Sequence, residues 1–401
     1  MKTVVLRKDF DYTIAFFPEI RKLVFVNEDG SRILDLFFNL EKSINEISEE
    51  FKIDKTSVKS FLVDIKKSLE IEQLSYPIPK KGFFDVPLSV EVQVSNTCNL
   101  RCKHCFQDDY TKILDYKTVD QRLSLLAANK VFMLNLVGGE IFLHKDAIKI
   151  ITRACDYYDF AVNIVTNATL ITGEVLNNLK KIKNKPAFLI SLEGTGEVND
   201  EIRGKGVFKK VEKVIKALKK EEFYVEISCT LSSFNYPNYK KLIEFAQKND
   251  APCNFNLFKP LKDSHLDLVI EPKKYFSFIK ELNIMQERDI KAGMTNAAIE
   301  GFMKGINRDV CRAGISGMTV DVDGYMLPCA LLCEADFYKK ENLPILDKDF
   351  VKKWQGDQIF IEFRKRGLSE CQACAYLFSG DICGKDPYGL IAFKEHLNSQ
   401  Q

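Results

Sequence analysis

Apolar and polar positions change rhythm twice along this chain. Over residues 1–75 the apolar runs are short, and "YTIAFF", "KLVFV" and "RILDLF" read as strands, with the turn signal "NEDG" between the second and third. Two helices follow. Ser43 and Glu46 stand in capping-box spacing at the start of the first, and Val58, Phe61, Leu62, Ile65 and Leu69 recur on one face of the second. The pattern predicts a three-stranded sheet with small helices. "SYPIPKKGFFDVP", with its prolines, reads as a linker over residues 76–87.

A second rhythm runs through residues 88–290. "LSVEVQVS", "FMLNLVGG", "FAVNIVTN", "AFLISLEG", "YVEISCTL" and "NFNLFKP" are strand-like and alternate with helical stretches such as "VFKKVEKVIKALKKEE", in which Val211, Ile215 and Leu218 form the apolar face. Strands separated by helices predict parallel βα units, either an incomplete barrel or an open doubly wound sheet. On the first strand Leu88, Val90, Val92 and Val94 share one face, and Glu91 and Gln93 the other. Asn135, Asn163, Glu226, Ser228, Asn254 and Asn256 hold similar polar positions on later strands, whereas a closed eight-stranded barrel fills its interior with branched apolar side chains. The expectation is a partial (β/α)6 barrel with an open, polar interior. A solvated sheet edge is the alternative for some of these residues.

Within residues 291–401 the βα rhythm stops. "CRAGISGMTVDVDGYMLPC" predicts a hairpin with Gly324 at its turn, and few long apolar periods follow. A small domain organised around metal needs little core of its own.

Composition narrows the classes. Of 401 residues 46% are hydrophobic and 28% charged, as in an ordered globular protein. Lys and Arg number 58 against 56 Asp and Glu, so no global pull toward nucleic acid or anionic membrane is implied. The start "MKTVVLRKDFDYTIAFF" is unlike a secretory signal, and no apolar run approaches a membrane span. A cytoplasmic location follows as the expectation. The 12 cysteines then read as metal ligands or redox groups rather than disulfides. Cys155, Cys229 and Cys253 stand alone and read as small buried hydrophobes.

Cys98, Cys102 and Cys105 crowd into "SNTCNLRCKHCFQ", directly after the first strand of the second region. A structural zinc site wants four protein ligands, and His104, adjacent to Cys105, is poorly placed to close the same tetrahedron. A cubane iron-sulfur cluster is less demanding: three thiolates hold three irons and leave the fourth open. On spacing alone zinc remains the alternative.

Cys-x3-Cys-x2-Cys in this location resembles the signature of the radical S-adenosylmethionine (SAM) enzymes. The resemblance implies that Cys98, Cys102 and Cys105 bind a [4Fe-4S] cluster whose open iron is chelated by the amino and carboxylate groups of SAM. One electron would cleave SAM to methionine and a 5′-deoxyadenosyl radical, which abstracts hydrogen from the substrate. "LVGGE" resembles the family's Gly-Gly-Glu segment: Gly138 and Gly139 would let backbone approach a ligand, and Glu140 would accept the SAM ammonium. "ISLEGTGEVNDEIRG" resembles the fourth-strand region, with Ser191 and Arg203 as candidates for the SAM carboxylate and Glu193 where an Asp is more usual. "IVTNATL" would place Asn167 near the ribose, and His104 falls where the family often packs an aromatic residue beside the adenine.

Cys311, Cys329, Cys371 and Cys374 resemble the SPASM and twitch extensions of these enzymes, which hold auxiliary iron-sulfur clusters. One or two auxiliary [4Fe-4S] clusters are implied. Cys333 and Cys383 are further candidate ligands, and Pro387 stands where a full SPASM region has its next cysteine. A zinc ribbon remains the alternative, since four thiolates suit zinc equally well.

Residues 1–75 resemble the winged-helix-like α+β precursor-recognition domain of peptide-modifying enzymes, in which a sheet edge accepts a leader peptide as an added strand. The expected function is modification of a ribosomally made precursor peptide, forming a thioether or another side-chain crosslink, with an electron donor such as a flavodoxin or ferredoxin. Neither nucleic acid nor membrane is expected as a partner. Two rivals stand beside this. One is a radical SAM dehydrogenase acting on a small molecule. The other is a DNA-binding iron-sulfur regulator, suggested by the helix-turn-helix look of "INEISEEFKIDKTSVKSFL", although Glu46, Glu49, Glu50, Asp54 and Asp64 offset its lysines.

Overall fold

A computed structural model of the chain describes residues 3–10, 12–70, 79–258, 263–288, 290–294, 313–330 and 342–366. The first region holds an antiparallel sheet of β1 (Val5–Lys8), β2 (Thr13–Phe17) and β3 (Lys22–Val26), in that order. The third strand expected at "RILDLF" is instead helical, and β1 takes its place. Asn27 accepts a hydrogen bond from the Gly30 N–H and Glu28 and Asp29 fill the first turn, so "NEDG" starts a helix, α1 (Glu28–Leu34), which widens into a π turn at Asp35–Asn39. The capping box of Ser43 and Glu46 forms at the head of α2 (Ile44–Phe51), and α3 (Lys55–Glu70) buries Val58, Ile65 and Leu69.

Both faces of this sheet are covered, which is why β2 is apolar at successive positions. Ala15, Phe17, Val24 and Val26 pack against Leu34, Ile65 and Leu69 of the helices. Ile14, Phe16 and Leu23 pack the opposite way, against Phe84, Leu88, Phe132 and Ala161. Leu88, Phe132 and Ala161 lie at the start of the first strands of the second region, so the N-terminal sheet caps the lower end of that region.

Two arginines pin the junction. The Arg7 guanidinium donates to the Val86, Pro87 and Lys130 carbonyls at 2.9, 3.2 and 2.8 Å and lies 4.6 Å from the Phe132 ring centroid. Burial pushes its pKa down to about 10, with Asp9 opposing the shift. Arg21 donates to the Val162 carbonyl at 2.9 Å and to Asn163 Oδ1. The described part of the linker is packed: Phe84 is fully buried, and its carbonyl accepts from Trp354 Nε1 at 2.8 Å.

The second region is the predicted set of parallel strands. β4 (Ser89–Ser95), β5 (Met133–Gly138), β6 (Ala161–Thr166), β7 (Ala187–Ser191), β8 (Val225–Leu231) and β9 (Cys253–Leu257) lie side by side in chain order. Between them run α4 (Tyr116–Ala128), α5 (Ala147–Thr152), α6 (Gly173–Leu179), α7 (Glu197–Arg203), α8 (Val207–Lys220) and α9 (Tyr239–Lys248). After α10 (Pro272–Glu287), β10 (Ala292–Met294) adds in parallel to β9.

The hairpin with Gly324 at its turn also forms, and Gly324 has φ +95°. Its first strand, β11 (Gly317–Val320), extends the barrel sheet in parallel beside β4, and β12 (Met326–Leu327) returns antiparallel. Among the described residues the sheet thus runs β10-β9-β8-β7-β6-β5-β4-β11-β12 and stays open. α11 (Phe350–Gly356) and α12 (Gln358–Arg366) bury Phe350, Trp354 and Phe360 in the barrel's own outer core.

Alternation along β4 sorts the side chains as its sequence requires. Val90, Val92 and Val94 are fully buried against Val119, Leu123 and Leu126 of α4, and Val211, Ile215 and Leu218 of α8 sit in the same core. The other face is polar. Asn163 Nδ2 donates to Asn135 Oδ1 at 2.7 Å, Asn256 Nδ2 to Ser228 Oγ at 3.1 Å, and Gln93 Oε1 accepts the Val322 N–H at 3.0 Å. Cys155, Cys229 and Cys253 are buried in the apolar core. Among the described residues no helix is long and apolar enough to cross a membrane.

Glu91 on the polar face has no hydrogen-bond partner among the described residues, and burial pushes its carboxyl up to about 7. An unfolded glutamate titrates near 4.5, so between the two values the folded chain keeps a proton that the unfolded chain has lost. The contribution to stability is therefore full below pH 4.5 and lost as pH rises through about 7. Glu91→Gln should stabilise the protein in alkaline buffer by at most about 3 kcal/mol and leave it nearly unchanged in acid. Urea denaturation of both proteins across this range checks it; a gap that does not widen with pH counts against a desolvated carboxyl.

Trp354, the single tryptophan, joins α11 to the linker. Trp354→Ala should cost about 3–5 kcal/mol. Trp354→Phe, which keeps most of the packing and drops the donor, should cost about 1 kcal/mol plus the lost volume. Chemical denaturation followed by circular dichroism separates the two.

Candidate functional site

The upper ends of β4 to β8 gather the residues singled out in the sequence. Cys98, Cys102 and Cys105 occupy a loop that leaves β4 and returns beside it. Asn96 and Lys112 close its neck, the Asn96 N–H donating to the Lys112 carbonyl at 3.0 Å and the Lys112 N–H to Asn96 Oδ1 at 2.6 Å. Below them the Leu114 N–H donates to the Val94 carbonyl at 3.1 Å. The segment after Cys105 thus folds back over the cysteines.

Gly138 and Gly139 do permit a close backbone approach, and the partner is the chain itself. A Cβ on Gly138 would overlap the Ser95 carbonyl oxygen, and one on Gly139 the Thr97 carbonyl oxygen. The Gly139 and Glu140 N–H groups donate to those two carbonyls at 3.0 and 2.8 Å. The end of β5 is therefore held directly against the base of the cysteine loop.

Glu140 is fully buried. Oε1 accepts from Thr166 Oγ1 at 2.7 Å and the Phe142 N–H at 3.1 Å, and Oε2 accepts the Asn167 N–H at 2.8 Å. As it stands the carboxylate binds the ends of β5 and β6 together, with three of its roughly four acceptor positions taken. Burial raises its pKa and the three hydrogen bonds oppose the rise.

Asn167 turns toward the cysteine loop. Its Nδ2 lies 3.0 Å from Asn99 Oδ1 and 3.8 Å from Cys98 Sγ, while Oδ1 accepts from the Thr169 N–H and hydroxyl at 2.9 and 2.6 Å. Ser191 ends β7, half-buried, in register with Ser228. Arg203, the last residue of α7, ion-pairs with the buried carboxylate of Glu193 at 2.5 Å and points Nη1 at Cys102 Sγ, 3.8 Å away. Burial alone would lower the Arg203 pKa; the charge of Glu193 overrides it and the net direction is up. Glu193 Oε2 accepts the Thr230 N–H at 2.8 Å, so this pair also braces β8. His104 places its Nε2 3.5 Å from Glu193 Oε1, and burial pushes its pKa down to about 4.

All three thiols are half-buried. Burial pushes Cys98 up and Cys102 up to about 11; the neighbouring sulfur of Cys105 adds to both, and Arg203 works against the shift at Cys102. The sulfurs are near enough to perturb one another. Among the described residues, however, no three His, Cys, Asp or Glu side chains converge on a single-ion site. A cubane fits such a set, because each thiolate binds a different iron. Cys329 is half-buried just beyond β12 and packs against the main core. Cys311, Cys333, Cys371, Cys374 and Cys383 lie outside the described residues.

Two features had no sequence motif to announce them. Tyr110, on the returning arm of the loop, donates its hydroxyl to Cys105 Sγ at 3.6 Å, and its ring centroid lies 3.7 Å from the Arg101 guanidinium carbon. The C-terminal hairpin is tied to the loop's neck: Lys112 Nζ reaches the Asp323 carboxylate at 2.7 and 2.9 Å, and Arg122 donates to the Asp321 and Val322 carbonyls at 2.8 and 3.0 Å. An aromatic residue shortly after Cys105, and lysine facing aspartate across some two hundred residues, were the available signals.

Residues 92–247 match the family described as the radical SAM superfamily. The antilisterial bacteriocin subtilosin biosynthesis protein AlbA of Bacillus subtilis is 32% identical over 157 residues, 38% of this chain and 35% of AlbA. The mycofactocin maturase MftC of Mycolicibacterium smegmatis is 23% identical over 312 residues, 75% of this chain and 77% of MftC. The chain therefore spans about a third of the length of the first relative and about three quarters of the second. The crystal structure of Streptococcus suis SuiB bound to precursor peptide SuiA superposes with a TM-score of 0.68 at 16% identity, over 91% of this chain and 90% of SuiB, a likeness of fold. The cysteine loop, at the upper end of the first strand of an open parallel barrel, lies within residues 92–247, the segment that matches the radical SAM superfamily.

Proposed function

We propose that the chain is a radical SAM maturase of a ribosomally made precursor peptide, built from a leader-binding unit (residues 1–75), a radical SAM partial barrel (88–290) and an auxiliary-cluster unit (291–401). The observation that carries this reading is the placement of a strand-edged N-terminal sheet at one end of the barrel and a three-cysteine loop at the other. The names of AlbA and MftC and the peptide-bound SuiB support it.

On this reading Cys98, Cys102 and Cys105 hold the cluster, and Gly138, Gly139, Asn167, Ser191 and Arg203 surround SAM beside it, with Glu140 and His104 packed behind them. When bound, the cluster supplies the electron that cleaves SAM to methionine and a 5′-deoxyadenosyl radical. The chain's own part is positional: the glycine pair fixes the height of the loop, Arg203 keeps a positive charge beside Cys102, and Glu193 keeps Arg203 in place. Cys311, Cys329, Cys371 and Cys374, with Cys333 and Cys383, are the proposed ligands of one or two auxiliary clusters. A flavodoxin or ferredoxin is the proposed electron donor. A thioether or another side-chain crosslink is the proposed product; Ala330 after Cys329 leaves no carboxylate there to act as a base.

The leader is proposed to add to the free edge of β3, which pairs only with β2 among the described residues and lies beside α3. The docked leader then raises the local concentration of the reacting segment. Its site and the cysteine loop lie at opposite ends of β4, a strand of 7 residues. At about 3.3 Å per residue this is roughly 23 Å, so the peptide needs a spacer of at least about 7 extended residues.

Anaerobically reconstituted protein with dithionite and SAM should release 5′-deoxyadenosine, and Cys98→Ala should release none. With a precursor encoded beside the gene, mass spectrometry should show loss of hydrogen from the core segment. Trimming the spacer stepwise should leave leader binding constant and abolish modification below the minimum length. Modification that persists with the spacer removed would overturn the two-ended reading, and absence of 5′-deoxyadenosine would overturn the activity itself.

A further inference from the structure

Each of the three cysteine sulfurs faces one side-chain donor, and each donor comes from a different part of the fold. Asn167 Nδ2, beyond β6, lies 3.8 Å from Cys98; Arg203 Nη1, ending α7, lies 3.8 Å from Cys102; Tyr110 Oη, on the loop's returning arm, lies 3.6 Å from Cys105. The first two donors have other tasks, since Asn167 also binds Asn99 at 3.0 Å and Arg203 binds Glu193. The Tyr110 hydroxyl has no second partner among the described residues. Its ring is clamped from the far side by Arg101, whose Nη1 donates to the Cys98 and Leu100 carbonyls at 2.8 and 2.9 Å. The phenol is thus aimed by the same loop that carries the sulfur it meets.

We propose that Tyr110 is a positioning residue that sets the reduction potential of the cluster through its hydrogen bond to Cys105, with Arg101 holding the ring in place. The inference rests on the assignment of a cluster to Cys98, Cys102 and Cys105. A hydrogen bond to a cluster thiolate stabilises the more negative, reduced state and so raises the potential. Because each of the three sulfurs has a separate donor, the loss of one changes the potential without removing a ligand. Tyr110 is the donor whose hydroxyl can be deleted without disturbing an ion pair or a strand end.

The test compares wild-type protein with Tyr110→Phe, which keeps the ring under Arg101, by redox titration of the paramagnetic signal that responds to added SAM, so that auxiliary clusters do not contribute. Iron and sulfide content are measured on the same samples. The variant should load as much iron as wild type, with a midpoint lower by up to about 59 mV, a tenfold fall in the reduced-to-oxidised ratio at fixed potential. Site-specific 3-fluorotyrosine at position 110, a stronger donor, should move the midpoint the other way. An unchanged midpoint in a fully loaded variant overturns the proposal, as does failure of Tyr110→Phe to load iron, which would make the hydroxyl a requirement for assembly. Failure of the wild type to show a SAM-responsive signal would refute the cluster assignment instead, and is thereby told apart.

Discussion

The cysteine loop depends on one steric constraint, that the end of β5 must lie against the base of the loop leaving β4. Gly138 and Gly139 meet the Ser95 and Thr97 carbonyls where no side chain fits, and two backbone N–H groups donate across the gap. From that contact the other placements follow. Glu140, next in sequence, is directed into the gap between β5 and β6, where its carboxylate collects three donors and fixes Asn167. Asn167 reaches back to Asn99 and Cys98. The glycine pair thus acts first on the protein's own backbone, and any ligand meets a rim already shaped by it.

Much of this was legible in the sequence, and the errors have physical causes. The six strands of the barrel stand where alternation placed them, and the polar face of β4 is the face that Glu91 and Gln93 announced. The capping box and the glycine-turned hairpin formed as written. At "RILDLF" the β-favouring residues suggest a strand, but the Asn27 side chain turns the preceding signal into a helix start. Buried Ile33, Leu34 and Leu36 fit one helical face as well as they fit a strand.

The site was legible as a set of residue types, less so as a set of partners. A tripeptide such as Gly-Gly-Glu marks a position, yet the carboxylate's three donors come from the end of β6 and the turn after β5, and no local pattern shows that. Tyr110 carries no motif at all; it reaches Cys105 only because Asn96 and Lys112 fold the returning arm over the loop. The linker misled in a milder way. Its prolines signal irregular backbone, and they say nothing of Phe84, which fills the space between sheet, barrel and Trp354.

The junction below the barrel gives the architecture its direction. Arg7 and Arg21 leave the N-terminal sheet to cap carbonyls and an amide at the lower strand ends, positions that in a solvated barrel would be met by water. Desolvation lowers the pKa of both, but a guanidinium stays charged at any ordinary pH, so these anchors hold regardless of it. Among the described residues the sheet therefore covers the lower strand ends, opposite the end that carries the cysteines. On the proposed reading a peptide cannot thread the barrel from leader site to loop; it must pass around the outside and enter from above. An interior covered below by charged anchors and lined by amides and by Glu91, whose carboxyl is pushed by burial up to about 7, can admit a polar segment while limiting the water that follows it, a condition that suits radical chemistry.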